Sequence, residues 1–484
     1  MNNPSVNETI SSVVWVGVGL LLVQILRILT EKLIPGFKRP LPPGPSPKEL
    51  SPEIPTFLQY HQFSQKYSPV FSLKIGRELF VVIAGYKEVL EIMQKRSVDL
   101  TDRPRCVSGV IISGDLRVLF VNSGDRLKRL RRALHAQLQP SAAKEYQPLQ
   151  FRHAKQYILD IVRDPEHHMD HARRYSASVV LSMVYGKKTP TRYSDPEVIE
   201  IEKTLKRVVE CLHPGTYLVD SFPFLKYFPT PEMRKLQRYQ KEELDLFKRQ
   251  LGVVRRQIAN KEDIPPSFST YLLERQQEYQ LSDDEIAYLT GEIFGAGTDT
   301  TASAIAFVTM AAACFPHEQA KVQAQLDAVV GKTRLPTFED QAELPSGVPH
   351  RASKDIIWND YVIPAGATVV GNHWSILRDP EAFPDPESFK PERWLTEGGQ
   401  IRDDLKMFGF GFGRRACPGQ PVADRSVFIN TALLLWSFNI SEDPSAPIDT
   451  MNFKLGITVD IHPFKLIFNP RVEDLKQHLT SDFT

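Results

Sequence analysis

Residues 408–419 read Phe-Gly-Phe-Gly-Phe-Gly-Arg-Arg-Ala-Cys-Pro-Gly. Three glycines ahead of the thiol let the backbone pass close to something flat or large, and Arg414 and Arg415 offer positive charge to anionic groups. A helical pattern follows from Val422 to Trp436. A helix N-terminus and neighbouring arginines both favour the thiolate, which makes Cys417 a ready thiolate on this reading. Two plainer readings stand beside it. Gly411-x-Gly413-x-x-Ala416 matches a dinucleotide-binding fingerprint, yet no strand precedes it and no acid lies about 20 residues on to take a ribose. A structural cysteine in a glycine-rich turn also fits the residues taken alone.

The second unusual segment lies upstream. Ser282-Asp-Asp-Glu285 is a capping box, and a helical pattern runs from Asp283 to Phe315, where Pro316 stops it. Such a helix is about 50 Å long. It is mostly apolar or small from Ile286 on, so it should be buried and cross the whole molecule. At its centre stands Gly295-Ala-Gly-Thr-Asp-Thr-Thr301. Each glycine weakens a helix by roughly 1 kcal/mol relative to alanine, and an acid beside alcohols is costly in an apolar helix. Either this is a glycine-permitted kink whose threonine hydroxyls bond carbonyls four residues back, or the residues serve chemistry.

Strand and helix patterns fill the rest. Pro69 to Ala84 reads as two strands joined at Gly76-Arg77, and Asp355 to Val370 as a second pair turning at Asn359-Asp360. Between them the chain is mostly helical. Strands at both ends of a helical middle bind residues 56–484 into one domain, mainly α with a minor β-sheet part. Residues 10–29 are apolar over about 30 Å of helix, enough to cross a bilayer. Basic residues follow this span and none precedes it, which predicts a lumenal segment at 1–9 and a cytosolic body. A Pro-rich stretch at 30–55 should be a stiff connector. Asn7 and Asn439 each begin an Asn-x-Ser/Thr glycosylation pattern, Asn7 on the lumenal side and Asn439 in the cytosol.

Composition excludes little but excludes it firmly. Lys and Arg total 59 against 58 Asp and Glu, for a formal charge of +1, so global charge argues against nucleic-acid binding. Four scattered cysteines with no C-x-x-C pair form neither a disulfide scaffold nor a zinc finger. His317-Glu-Gln-Ala-Lys321 lacks the second histidine of a zinc protease. Arg126, Lys128, Arg129, Arg131 and Arg132 form a basic cluster on a helix whose other stripe is Leu127, Leu130, Leu134 and Leu138.

Together these segments resemble the cytochrome P-450 family of haem-thiolate monooxygenases in its microsomal, membrane-anchored form. The haem-loop pattern F-x-x-G-x-R-x-C-x-G is met at Phe410, Gly413, Arg415, Cys417 and Gly419. The long-helix pattern [AG]-G-x-[DE]-T-[ST] is met from Ala296 to Thr301, and Pro391-Glu-Arg-Trp394 also looks like the family. The style of residues 372–394 is similar to fungal members. The resemblance implies Cys417 as the axial ligand of haem iron (iron protoporphyrin), Arg415 on a propionate, and Asp299 and Thr300 relaying protons during O2 activation. Arg131 and His350 are further cofactor-binding candidates. The basic cluster would dock an acidic reductase, although Leu127 stands where the family usually has Trp. The implied activity is oxidation of a small lipophilic substrate with O2 and electrons from NADPH, delivered by NADPH-cytochrome P-450 reductase. The implied setting is the endoplasmic reticulum membrane, in secondary-metabolite biosynthesis. The substrate pocket would be lined by residues 104–119, by the long helix around Ile293 and by chain near Val348.

One family element is absent. No Glu-x-x-Arg occurs in the 484 residues; the chain passes from Ala342-Glu-Leu-Pro-Ser346 directly into Gly347-Val-Pro-His350. A helix's worth of chain is missing there, which should strand Arg393 without its usual partners, at a typical cost of roughly 3–5 kcal/mol if buried. Either the natural protein carries a segment this sequence lacks, or the chain is truly shortened. The second case leaves open a non-catalytic, membrane-anchored haem binder.

Overall fold

The computed structural model describes residues 39–76, 78–188, 191–213, 215–340, 350–400, 402, 404–405, 408–454 and 460–480. The anchor expected at 10–29, the lumenal segment with Asn7, the junction at 342–346 and the pocket wall near Val348 all lie outside the described residues.

The principal helices are α1 (Thr56–Lys66), α2 (Val107–Ile112), α3 (Asp125–Leu138), α4 (Gln147–Arg163), α5 (His168–Tyr185), α6 (Pro196–Leu212), α7 (Pro231–Ala259), α8 (Asp283–Cys314), α9 (Pro316–Val329) and α10 (Gln420–Ser437). The fold is mainly helical with small sheets, as expected. The early hairpin forms from β1 (Val70–Ile75) and β2 (Glu78–Ile83), paired from Val70 with Ile83 to Ile75 with Glu78. Both of its faces are covered: Val70, Val81 and Ile83 lie in one buried apolar cluster, and Phe71, Leu73 and Val82 in another with Tyr60 and Phe63 of α1. The late segments divide differently from the expectation. β3 is His350–Arg351, β4 is Ile356–Trp358, β5 is Tyr361–Ile363 and β6 is Thr368–Gly371. Among the described residues β4 and β5 pair only with each other, around Asn359 at φ +50°. It is β6 that closes the sheet, parallel to β2 and antiparallel to β3, in the order β1-β2-β6-β3. Two short ladders near the C-terminus, β7 (Phe438–Glu442) with β10 (Leu466–Pro470) and β8 (Phe453–Lys454) with β9 (Asp460–Ile461), were not expected from the sequence.

The last part of the proline-rich stretch is docked on the body. The Pro43 carbonyl accepts the Ser72 amide at 3.0 Å and the Pro40 carbonyl accepts the Val362 amide at 3.0 Å. An added Cβ at Gly44 would stand 1.8 Å from the Ser72 oxygen, so the connector lies flat on β1.

Helix α8 is the axis of the molecule. Its capping box is formed: the Ser282 hydroxyl accepts the Glu285 amide at 3.1 Å and the Glu285 carboxylate accepts the Ser282 amide at 3.1 Å. It runs for 32 residues as one α-helix, so the central glycines do not break it. They serve packing instead. An added Cβ would meet the Phe247 ring of α7 at 2.2 Å from Gly291, Leu205 of α6 at 3.0 Å from Gly295, and Val180 of α5 at 2.8 Å from Gly297. Thr298, Thr300 and Thr309 each donate to the carbonyl four residues back, at 2.7 Å, which satisfies the hydroxyls inside an apolar bundle.

A buried ionic network ties the loop after α2 to this axis. The Arg117 guanidinium bonds the Glu243 carboxylate of α7, and Tyr288 of α8 donates to the other Glu243 oxygen at 3.2 Å. Glu292 of α8 lies 4.0 Å from the same guanidinium. Burial raises the Glu292 carboxyl from its ordinary 4.5 to about 7; Glu243 adds to the rise, while Arg117 and the Val118 and Leu119 amides oppose it. A carboxyl raised in this way stabilises the fold below its unfolded value and loses that contribution as pH climbs through the folded one. Glu292→Gln should therefore gain urea resistance relative to the parent between pH 4.5 and about 7, with no further change on either side. Parallel midpoint-against-pH curves for the two proteins would refute the shift.

Candidate active site

The cysteine loop is held by its own backbone. The Cys417 amide donates to the Phe410 carbonyl at 2.8 Å, and the Gly411 amide to Phe408 at 2.8 Å. Phe412 is fully buried and stacks on His373, with ring centroids 4.9 Å apart. Gly413 is obligatory: its φ is +51°, and a Cβ there would stand 2.1 Å from that of Ser97. Gly419, at φ −83°, caps α10 without such a demand.

Cys417 has an exposed surface, yet it is crowded enough that burial governs its acidity. Both are true of a side chain on the floor of a recess. Burial raises the thiol, against the lowering by the Gly419 and Gln420 amides and by Arg131. The expectation of a ready thiolate from the helix terminus and arginines is therefore corrected: desolvation of the sulfur outweighs both. A bound metal ion would reverse this, since a coordinating thiol is deprotonated outright.

Three guanidiniums converge beside the loop. Arg131 donates to the Ala416 carbonyl at 2.9 Å. Arg415, 5% exposed, donates to the carbonyls of Thr101 (2.6 Å), Val118 (3.4 Å) and Val121. Arg103, 8% exposed, has its Nε and one Nη buried without a hydrogen-bond partner among the described residues. Burial pushes Arg103 down to about 9, and the charges of Arg415 and Arg131 push further in the same direction. Arg415 falls to about 10 from burial and Arg131. Mutually repelling cations with unmet donors need anionic oxygens. The paired carboxylates of a haem fit that need, next to an accessible thiol. Sequence reading missed Arg103, a single arginine in an irregular loop with no periodicity or motif to mark it.

At the centre of α8, Ala296 and Thr300 are exposed although their neighbours Gly295, Thr298 and Thr301 are buried. Residues four apart share one face, so this face looks into open space within the core. Asp299 is half-buried beside it. The His350 backbone pairs with Val369 at the sheet edge.

Other expectations land elsewhere. Leu127, Leu130, Leu134 and Leu138 are buried as a stripe, but the opposite basic face is largely neutralised within the chain. Arg126 pairs with Asp115 at 2.7 Å, Lys128 with Asp125 at 3.0 Å and Arg129 with Glu285 at 2.9 Å. Arg393 is half-buried rather than stranded: its guanidinium donates to the carbonyls of Lys390 (3.1 Å), Asp385 (2.9 Å) and Ser388 (2.6 Å). Those carbonyls offset the cost expected from its missing partners. Asn439 is an exposed residue of β7, paired with Asn469 of β10.

Comparison with known proteins agrees with this geometry. The family model described as Cytochrome P450 matches residues 49–346 and 344–468, two blocks that meet where the expected helix is missing. Cytochrome P450 monooxygenase 88 of Postia placenta is 49% identical over 498 aligned positions, covering 98% of each chain. Cytochrome P450 monooxygenase 64 of the same organism is 51% identical over 461, covering 91% of this chain and 93% of its own. Cytochrome P450 monooxygenase claR of Ampulloclitocybe clavipes is 29% identical over 485. With a thiol recess, an arginine cradle and an open helix face joined to this likeness over nearly its whole length, the chain belongs to the cytochrome P450 family of haem-thiolate monooxygenases, which draw electrons from an external donor.

Proposed function

We propose that the chain inserts one oxygen atom of O2 into a small lipophilic substrate, the other atom leaving as water, with NADPH electrons delivered by a separate flavoprotein reductase. The observation that carries this reading is the accessible Cys417 beside three guanidiniums, of which Arg103 keeps two buried donors without a partner among the described residues. Cys417 would hold the haem iron, and Arg103, Arg131 and Arg415 its propionates, with His350 a further contact. Haem held in this way supplies the oxygen-activating redox chemistry. Phe410, Gly413 and Gly419 shape the loop that presents the sulfur. The Thr300 hydroxyl, whose proton goes to the Ala296 carbonyl at 2.7 Å, keeps its lone pairs for a donor in the open space. Asp299 follows as the group that hands on the proton.

The proposal includes a membrane setting at the endoplasmic reticulum and a role in secondary metabolism, the latter supported only by likeness to fungal members. Among the described residues no single helix is long and apolar enough to cross a bilayer. Support comes from the apolar span at 10–29 and from an exposed patch between α6 and α7, where Leu218, Phe222, Phe224, Tyr227 and Phe228 are 46–77% exposed. A second reading, a haem binder without turnover, is favoured by one observation, the break in the family match at 344–346.

The reduced carbon-monoxide difference spectrum of the expressed chain tests the assignment. A strongly red-shifted Soret band is expected, and Cys417→Ser should abolish it; a band that survives the substitution sinks the assignment of the ligand. A band without NADPH-dependent product would select the second reading. Arg103→Leu should weaken haem retention roughly tenfold, the worth of one charge-assisted hydrogen bond, and Arg103→Lys should restore part of it. Thr300→Ala should leave that band intact while product per NADPH falls on the order of 10²-fold, the usual scale for losing a proton-transfer group.

A further inference from the structure

The cysteines are scattered in the sequence, yet the fold brings two of them together. Cys106 opens α2, and Cys211 lies in the last turn of α6, 105 residues on. The Cys106 thiol donates to the Cys211 carbonyl at 3.3 Å. One side chain serves both sulfurs: the Ser108 hydroxyl is 3.7 Å from the Cys106 sulfur and acts on the Cys211 thiol as well. Ser108 is itself fixed, its amide and hydroxyl donating to Asp220 at 2.9 and 2.6 Å. Gly109 leaves the room that the first sulfur occupies, since an added Cβ would stand 2.7 Å from it. Cys211 is buried in an apolar cluster with Val107, Ile112, Phe120 and Val208, whereas Cys106 keeps part of its surface accessible at the edge of that cluster. One thiol is reachable and the other is screened behind it. Cys314 packs in a different cluster, with Ala306, Met310 and Ile461.

We propose that Cys106 and Cys211 form an oxidation site, at which hydrogen peroxide closes a reversible disulfide between the start of α2 and the end of α6. The Cys106 thiolate attacks one peroxide oxygen, the O–O bond breaks, and the other oxygen takes up a proton and leaves as water. Cys211, deprotonated in turn, attacks the Cys106 sulfur and expels the sulfenic oxygen as a second water. Two thiols and one peroxide thus give one disulfide and two waters, each sulfur losing one electron and each oxygen gaining one. Burial pushes the Cys106 thiol up to about 11, and Asp220 adds to the rise. Burial pushes Cys211 up to about 12, against the Ser108 hydroxyl, with Cys106 and Asp220 adding. Scarce thiolate makes closure slow, so only sustained peroxide drives it. The same surroundings make each thiolate a poor leaving group, so the bond resists reduction once made. The pair is a slow latch rather than a fast sensor. Residues 104–119 are the expected pocket wall, and the bond tethers that wall to α6, which restricts entry to the pocket. This effect on entry rests on the monooxygenase reading; the disulfide chemistry does not.

The haem-loaded chain, exposed to graded hydrogen peroxide and in parallel to the thiol oxidant diamide, is digested with trypsin without reduction. Cleavage after Arg105 and Arg207 puts the two cysteines on separate peptides. A linked pair, two hydrogens lighter than the free peptides combined, is expected with both oxidants. It should be lost on treatment with dithiothreitol, absent in Cys106→Ser and Cys211→Ala, and kept in Cys314→Ser. Cys106 is half-buried and alanine keeps the apolar wall at Cys211, so both variants are expected to fold. No link at oxidant levels that leave the carbon-monoxide band intact, or Cys106 linked to another cysteine, overturns the site. A link with diamide alone overturns the assignment to peroxide. Phenylimidazole binding to the ferric haem then reads entry to the pocket. It should slow several-fold on closure in the parent and keep its rate in oxidised Cys106→Ser. An unchanged rate in the linked parent, or the same slowing in Cys106→Ser, overturns the effect on entry. A linked peptide pair in a chain with no carbon-monoxide band sinks the monooxygenase reading and leaves the oxidation site standing.

Discussion

Gly297 of α8 approaches Val180 of α5 so closely that one added carbon would stand 2.8 Å away, and Gly295 and Gly291 make comparable approaches to α6 and α7. Three helices therefore press on α8 at positions where it carries no side chain. Close packing of this kind fixes helix separation to within a methyl group. It also decides which face of α8 is left over. With its back and flanks committed, the row through Glu292, Ala296 and Thr300 is the face that can look into open space. The cysteine loop, the arginines and the loop after α2 are arranged around that choice, and the ionic network at Arg117 anchors the loop to the same axis.

Much of this was legible in the chain because it depends on local pattern. The capping box at Ser282, the length of α8, the early hairpin and the glycine-rich loop all follow from spacing and residue type. The reading of the α8 centre was half right: the threonines do bond back along the helix, but the glycines answer to neighbours far off in sequence. What stayed hidden depends on distant partners. Arg103 looks like any loop arginine until Arg131 and Arg415 are brought beside it. Arg117 and Glu243 are 126 residues apart, and no periodicity connects them. The acidity of Cys417 was misjudged because helix ends and arginines are visible in sequence, whereas desolvation of a recess is not.

The gap near 344–346 is a further case of sequence and structure carrying different information. The flanking motifs are intact, and the 498 aligned positions against the first relative exceed the 484 residues here, so part of that relative has no counterpart in this chain. Arg393 nonetheless finds three carbonyls in the segment just before it, those of Asp385, Ser388 and Lys390. A guanidinium with five donors can be satisfied by backbone when its carboxylate is gone, so local stability and the completeness of the family architecture are separate questions.

The pairing of β2 with β6 carries a consequence in time. Phe80 waits for Thr368, and at ordinary synthesis rates of about 5–20 residues per second the intervening chain takes about 15–60 s to emerge from the ribosome. Through that interval the early hairpin has an open edge, the kind of surface that recruits strands from other chains. Helices α2 to α9 are made while the edge is unfilled, so they have to assemble around α8 without the sheet. The nascent protein is thus a helical body trailing an unfinished hairpin, and its exposure to misassociation is set by how quickly translation reaches residue 371.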